Sequence, residues 1–317
     1  MTEAAKTVLT AYEVRKTKGQ KEAFRAFLCR ELGKLGYEPR VESGRSLVTS
    51  HNVVAGDPEK ARVLLTAHYD TCAVLPFPNF ITPRNLPVFL LYQLAVAAVI
   101  FILAIAVEVA LIMAFDPPLW AALLAMYAAL AFCIWWMLAG KANRHTANDN
   151  TSGVIALLEM AAALPPEDRD GVCFVWFDNE ELGLFGSSAF AAAHRRVRAD
   201  TLTLNFDCVG DGDYLQFFPS GVVKKDSETM ALLESAFLSE GKKVVEVVRG
   251  LGLYPSDQAR FRRGVGVAAL KKAPLIGYYM DRIHTRRDTV LEEDNVQLLC
   301  RGVLRLAGMI REQKKET

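Results

Sequence analysis

From Val88 to Phe115 the chain runs 28 residues in which only Gln93 and Glu108 are clearly polar, and from Leu119 to Ala139 a further 21 carry no ionisable side chain. At a rise of about 1.5 Å per residue, each run as a helix is long enough to cross a hydrocarbon layer of about 30 Å. Only Asp116, Pro117 and Pro118 join them, so the two helices turn back on each other. The sequence therefore predicts a two-pass hairpin, with the lipid bilayer as partner through residues 88–139. Trp120 near the turn, and Trp135 and Trp136 near the far end, stand where interfacial aromatics are expected. Arg84 precedes the hairpin and Lys141 and Arg144 come after it, whereas the turn carries only Asp116; the positive-inside tendency then puts both ends, and the domain they join, on the cytoplasmic side. Glu108 supports the competing reading of a buried helical pair or dimerisation arm, because an ionisable group in a span needs a partner or water. That reading is also the source of a possible homo-oligomer.

A chain of 317 residues suffices for one large domain or two ordinary ones. Its 37 basic and 36 acidic residues leave a net charge of +1, with no basic block, which argues against nucleic acid as a partner. The six cysteines are scattered without a CxxC pair and read as reduced thiols, in keeping with a cytosolic setting. The first twenty residues hold no apolar core of signal-peptide length, so secretion is not expected. The implied organisation is a catalytic domain in two parts, 1–84 and 141–317, interrupted by a hairpin at 85–140.

Outside the hairpin the pattern is α/β, predicting a mostly parallel mixed sheet flanked by helices. Residues 62–67 (RVLLTA), 172–177 (VCFVWF) and 201–206 (TLTLNF) are short and rich in β-branched or aromatic side chains. The first two are near-continuous apolar runs, as in strands covered on both faces. Helical spacing marks 21–35, which stops at Gly36, and helices are also expected at 152–164, opening on a Ser152 cap, at 187–196 and at 227–239. Alternation of this kind gathers chemistry at the carboxyl ends of the strands.

Each expected strand runs directly into residues that can bind a metal or move a proton. RVLLTA leads into His68-Tyr69-Asp70, VCFVWF into Asp178-Asn179-Glu180-Glu181, and TLTLNF into Asp207; the apolar segment 274–280 leads to Asp281 and His284, and the loop after the hairpin holds Asp149. Imidazoles and carboxylates with no nearby thiolate pair suit zinc or a related divalent ion in a catalytic site. Five ligands suit two ions better than one, with a carboxylate between them, and such a pair can deprotonate a shared water while polarising a carbonyl. The adjacent Glu180 and Glu181 would repel each other unless a cation sits nearby. If one of them binds metal, the other can face the cavity as general base.

The motifs LLTAHYDT, NDNTSG, FDNEELGLFGS, NFDCVG and IHTRRDT, in that order, resemble the M28 metallopeptidases, the group of co-catalytic zinc aminopeptidases and their relatives. The resemblance covers most of the chain outside the hairpin and implies a peptide substrate and two zinc ions. It implies that His68 and Asp207 hold one zinc and Glu181 and His284 the other, with Asp149 bridging. Glu180 would take a proton from the metal-bound water and pass it to the leaving amine. Asp70 would accept the other ring N–H of His68. The segment PSDQARF, 255–261, looks like the family's Ser-Asp-His segment with Gln258 in place of His.

Asp178 and Asp281 compete as ligands on sequence alone, Asp211 and Asp213 read as turn residues, and Asp288 is a candidate to support a ligand from its place near His284. His51, His145 and His194 read as surface residues. The leading expectation is an aminopeptidase. The alternatives are a glutaminyl cyclase-like enzyme or other amidohydrolase on a similar site, and a membrane scaffold without catalysis.

Overall fold

The computed structural model describes residues 1–316, with side chains described through residue 313. Helices α1 (Glu3–Ala11) and α2 (Lys18–Lys34) lead into strands β1 (Arg40–Arg45), β2 (Thr49–Ala55) and β3 (Val63–His68). The long helices α3 (Leu86–Phe115) and α4 (Leu119–Ala139) come next, and then α5 (Gly153–Ala163) and β4 (Val172–Phe177). Helices α6 (Phe185–Ala193) and α7 (Arg195–Asp200) precede β5 (Leu202–Phe206) and β6 (Tyr214–Pro219). The chain continues through α8 (Gly221–Lys225), α9 (Ser227–Ala236), β7 (Val244–Val247), β8 (Gly264–Ala273), β9 (Gly277–Tyr279) and α10 (Glu293–Glu316).

The strands form one sheet in the order β1-β2-β4-β3-β5-β8-β6-β7, with β9 paired to β8. Its centre, β4-β3-β5-β8, is parallel. The expectation of a mostly parallel sheet holds there and at the β6–β7 edge, whereas β1 pairs antiparallel with β2, β2 with β4, and β6 and β9 with β8. In the central strands alternate residues serve opposite faces. Leu65, Ala67, Phe174, Trp176, Leu204 and Phe206 pack under α1, α2, α5 and α10. Leu64, Cys173, Val175 and Phe177 pack against Phe190, Val197 and Phe261 on the other face. Covering both faces requires the near-continuous apolar runs seen in the sequence.

Helix α2 starts with a capping box, in which Thr17 and Gln20 each satisfy the other's backbone N–H, and ends at Gly36, whose φ of 82° suits the left-handed stop. Ser152 takes the N-cap position expected of it at α5 but makes no side-chain capping bond there. Its hydroxyl donates to the Asn148 carbonyl and accepts from the Val209 N–H, while Asn150 Oδ1 takes the Gly153 N–H at 3.0 Å.

Helices α3 and α4 stand almost bare, each long and apolar enough to cross a membrane. They meet at small residues, Ala104 and Ala122, which are their buried positions and let the backbones approach. Asp116 closes α3 in the left-handed conformation at φ 44°, and Glu108 is half-buried. The hairpin leaves and rejoins the sheet between β3 and α5. Its base is tied to the body by Asn85 Nδ2 on the Ile276 carbonyl at 3.0 Å, Tyr92 on the Pro78 carbonyl at 2.6 Å, and Lys16 Nζ on the Leu138 carbonyl at 2.8 Å.

Of the three histidines read as surface residues, His145 is exposed and the His51 ring meets the Ser43 hydroxyl. His194 does more. Its ring lies between Glu42 on β1 at 2.9 Å and Glu59 at 2.8 Å. Burial would lower its pKa, but the two carboxylates raise it above the ordinary value. A raised folded pKa gives stability that is fully present below the unfolded value near 6.5 and is lost as pH climbs through the folded one. His194→Gln should therefore cost roughly 0.5–1 kcal/mol in urea unfolding at pH 5.5 and almost nothing at pH 9. Equal losses at both pH values would count against the ion pairs.

Candidate metal centre

The site lies where the parallel strands end. His68 is the last residue of β3, Glu180 and Glu181 come after β4, Asp207 comes after β5, Asp149 sits at a non-helical break in the turn Ala147–Ser152 that leads into α5, and His284 arrives on a loop. Close backbone approach makes this possible. A Cβ on Gly153 would stand 2.2 Å from the Phe206 carbonyl oxygen, and one on Gly186 would stand 2.0 Å from that of Asp178. Glycine at these two positions lets α5 and α6 start directly against the strand ends.

The expected residues converge as two groups sharing one carboxylate. His68 Nε2 lies 3.4 Å from Asp149 Oδ1 and 3.5 Å from Asp207 Oδ1. His284 Nε2 lies 3.2 Å from Asp149 Oδ2 and 3.4 Å from Glu181 Oε2. Each oxygen of Asp149 thus faces a different imidazole. Glu180 stands beside them, and its carboxylate groups with His68 and Glu181. Cys72 also falls within ligand range of Glu181 and His284, a neighbour that sequence reading missed.

The electrostatics are those of a site needing a cation. Burial pushes the Glu181 carboxyl up to about 8, with Asp149 adding to the shift against His284. Burial likewise drives Glu180 well above the carboxylate range, with Glu181 and Asp207 adding to it. For the imidazoles burial works downward but loses to the carboxylates: His284 rises to about 9, and His68 rises well above its ordinary value. Asp149 would be raised by burial, yet the two imidazoles hold it below the ordinary carboxylate value. Glu181 Oε1 is buried with no hydrogen-bond partner. Imidazole, carboxylate and an orphaned buried oxygen around one space match the donor set of a divalent metal such as zinc.

Surrounding groups fix this arrangement. Asp70 stands behind His68, but it is the Asp70 carbonyl that meets Nδ1, at 3.1 Å, with the nearer carboxylate oxygen at 3.6 Å. The Asp70 carboxylate chiefly accepts the backbone N–H groups of Glu180 and Glu181, at 3.0 and 3.2 Å. It therefore holds the glutamate pair as well as lying next to the histidine, a role that sequence spacing did not suggest. Asp288 accepts the N–H groups of Asn148 and Asp149 at 2.8 and 3.0 Å, so it positions the shared carboxylate. Ser256 donates to Asp207 Oδ2 at 2.5 Å and Tyr254 to the Asp207 carbonyl at 3.0 Å. Arg15, fully buried and unforeseen, ties the Tyr69 carbonyl to the Thr151 hydroxyl.

The competing carboxylates are engaged elsewhere. Asp178 pairs with Lys21 at 2.7 Å and takes the His51 N–H, and Asp281 pairs with Lys271 at 2.8 Å. Asp211 also meets Lys271, at 2.9 Å, and Asp213 meets Lys243 at 2.7 Å, so neither is merely a turn residue. Gln258 turns inward, its amide spanning Asn205 and the Tyr254 carbonyl.

A cavity of about 320 Å³ opens onto the cluster. Asp149, Glu180, Glu181, Asp207 and His284 line its polar side; Ile81, Leu182, Tyr254 and Ile283 line the rest, together with Leu138 from the last turn of α4.

The sequence profile of peptidase family M28 matches residues 136–301, just over half of the chain. The chain belongs to peptidase family M28. The matched span holds Asp149, Glu180, Glu181, Asp207 and His284, with His68 and Asp70 upstream of it. Aminopeptidase YwaD of Bacillus subtilis is 40% identical over 68 residues, which is 20% of this chain and only 15% of that protein. Among solved structures, a Zn-dependent exopeptidase from Parabacteroides distasonis superposes with a TM-score of 0.60 at 17% identity, covering 96% of each chain. Glutaminyl cyclase from Porphyromonas gingivalis gives 0.60 at 16% identity over 97% of each chain. LapA aminopeptidase of Legionella pneumophila gives 0.56 at 14% identity over 96% of this chain and 69% of that one. At these identities the likeness is one of fold, the mixed α/β zinc-exopeptidase fold. Membership in M28 and the donor set together imply a divalent-metal centre.

Proposed function

We propose that this M28 peptidase is an aminopeptidase with two zinc ions, anchored to a membrane by the α3–α4 hairpin, with its catalytic domain on the cytoplasmic side. The observation that carries the two-ion reading is the division of Asp149, with one carboxylate oxygen toward His68 and Asp207 and the other toward His284 and Glu181. His68 and Asp207 would hold one ion and Glu181 and His284 the other. When bound, the metal supplies a Lewis acid that polarises the scissile carbonyl and makes water more acidic.

The chain's own residues do the rest. Glu180 accepts a proton as the water oxygen bonds to the carbonyl carbon, and delivers it to the amine nitrogen as the C–N bond breaks. Burial suits it to both steps, since a carboxylate with a raised pKa holds a proton more readily than one in water. Asp70 keeps Glu180 in place through its backbone N–H.

The bare apolar surface of α3 and α4 supports the membrane reading, as do the basic residues at the hairpin base, Arg84, Lys141 and Arg144, set against Asp116 at the turn. Because Leu138 lines the catalytic cavity, the anchor and the site are in contact.

Metal content per chain on detergent-purified protein, paired with hydrolysis of aminoacyl reporters before and after chelation, tests the proposal. Two zinc ions and release of N-terminal residues that stops on chelation and returns with zinc are expected. One ion without release would redirect the assignment to a cyclase or amidohydrolase, and absence of metal to a scaffold.

A further inference from the structure

Two loops beside the hairpin hold large apolar side chains in the open. Leu275, between β8 and β9, is 99% exposed, and Leu251, after β7, is 95% exposed, with Leu253 at 50%. Side chains of this size so fully in water at adjoining loop tips call for an occupant. Both loops are fastened to the point where α3 begins. Asn85, the residue capping α3, donates from Nδ2 to the carbonyls of Leu275 and Ile276 at 3.3 and 3.0 Å, and the Leu253 N–H donates to the Pro83 carbonyl at 2.8 Å.

The surroundings are those of a lipid headgroup layer. Arg84 and Lys272 sit over the Tyr278 ring at 5.0 and 5.1 Å. On the α4 side, Trp136 lines one surface cleft with the exposed Arg286 and Arg287. Cations and aromatics at the level where two apolar helices leave the body, with bare leucines among them, make an interfacial belt.

We propose that Leu251 and Leu275 insert into the same bilayer that the hairpin crosses, giving the catalytic body a second pair of lipid contacts beside its anchor. The proposal rests on the membrane reading of the hairpin, since α3 fixes the depth at which the loops lie. The occupant is lipid rather than a protein partner because the tips continue the bare surface of α3, whose first turns expose Leu86 and Leu90. The catalytic cavity, whose lining includes Asn79, Ile81 and Leu138, then lies near the headgroups.

The test uses full-length protein in lipid nanodiscs, with bilayers of ordinary phosphatidylcholine or of lipid brominated near the headgroup end of its chains. Leu251→Trp, Leu275→Trp and Lys60→Trp each add one indole, the last on the loop before β3, at the opposite end of that strand from His68. The added emission of both leucine variants should fall at least about two-fold in brominated lipid, while that of Lys60→Trp stays unchanged. The native Trp120, Trp135 and Trp136 report the hairpin in the same samples. Quenching of the native indoles with either added tip unquenched would overturn the loop insertion and leave the anchor standing. Trp120, Trp135 and Trp136 left unquenched would remove the anchor and the loop contact together, the core Trp176 being unquenched in every case.

Discussion

Glu180→Gln is expected to lower kcat by roughly 10²–10⁴-fold while the purified protein keeps its full metal content. The substitution preserves shape and volume, and the backbone N–H of residue 180 still reaches Asp70, so the neighbouring Glu181 stays where it is. What disappears is the ability to accept a proton. Glu180 is the one carboxylate of the cluster to which neither imidazole is paired; the described ion pairs of His68 and His284 go to Asp70, Asp149, Asp207 and Glu181. Metal analysis and reporter turnover on one preparation separate the roles. A variant that turns over normally would exclude Glu180 as the base. A variant that loses metal in step with activity would make it a ligand instead.

The site was legible in the sequence because parallel strands deliver the residues at their carboxyl ends to a single edge. His68, Glu180 with Glu181, and Asp207 each come just after a short run, rich in β-branched or aromatic side chains, that identifies a strand, and the fold does bring them together. Other strands were not legible. β1 reads RVESGR, polar on both faces, and β8 begins Gly-Val-Gly-Val-Ala-Ala, too small in its side chains to stand out as a strand. The supporting partners were hidden for a different reason: Asp288 with the 148–149 backbone, Arg15 with Tyr69 and Thr151, and Lys21 with Asp178 are pairings between residues far apart in the chain. Nothing in local spacing told Asp178, which is neutralised by a lysine, from Asp207, which faces an imidazole. Asp70 shows the same limit, since its place two residues after His68 suggested one contact and the tertiary structure gave its carboxylate another.

Asp149→Ala should abolish tight binding of metal at both positions, because it removes the single side chain that meets both imidazoles, 3.4 Å from His68 and 3.2 Å from His284. The loss in affinity should be on the order of 10²-fold or more, exceeding the 10–100-fold typical of changes in groups that only orient ligands. Asp288→Asn supplies that smaller reference. Its two carboxylate oxygens each accept a backbone N–H from the loop carrying Asp149, and an asparagine can accept only one of them while turning its NH₂ toward the other. It should therefore loosen the loop without removing a donor, with a proportionate 10–100-fold fall in affinity that excess zinc restores. Competition titration against a chromogenic chelator measures both variants without reference to turnover. If Asp149→Ala still held two ions as tightly as the parent chain, the carboxylate between the imidazoles would be no bridge. The ions would then have to be held by His68 with Asp207 and by His284 with Glu181 alone, and Cys72, within reach of that second pair, would become the first residue to examine as the missing donor.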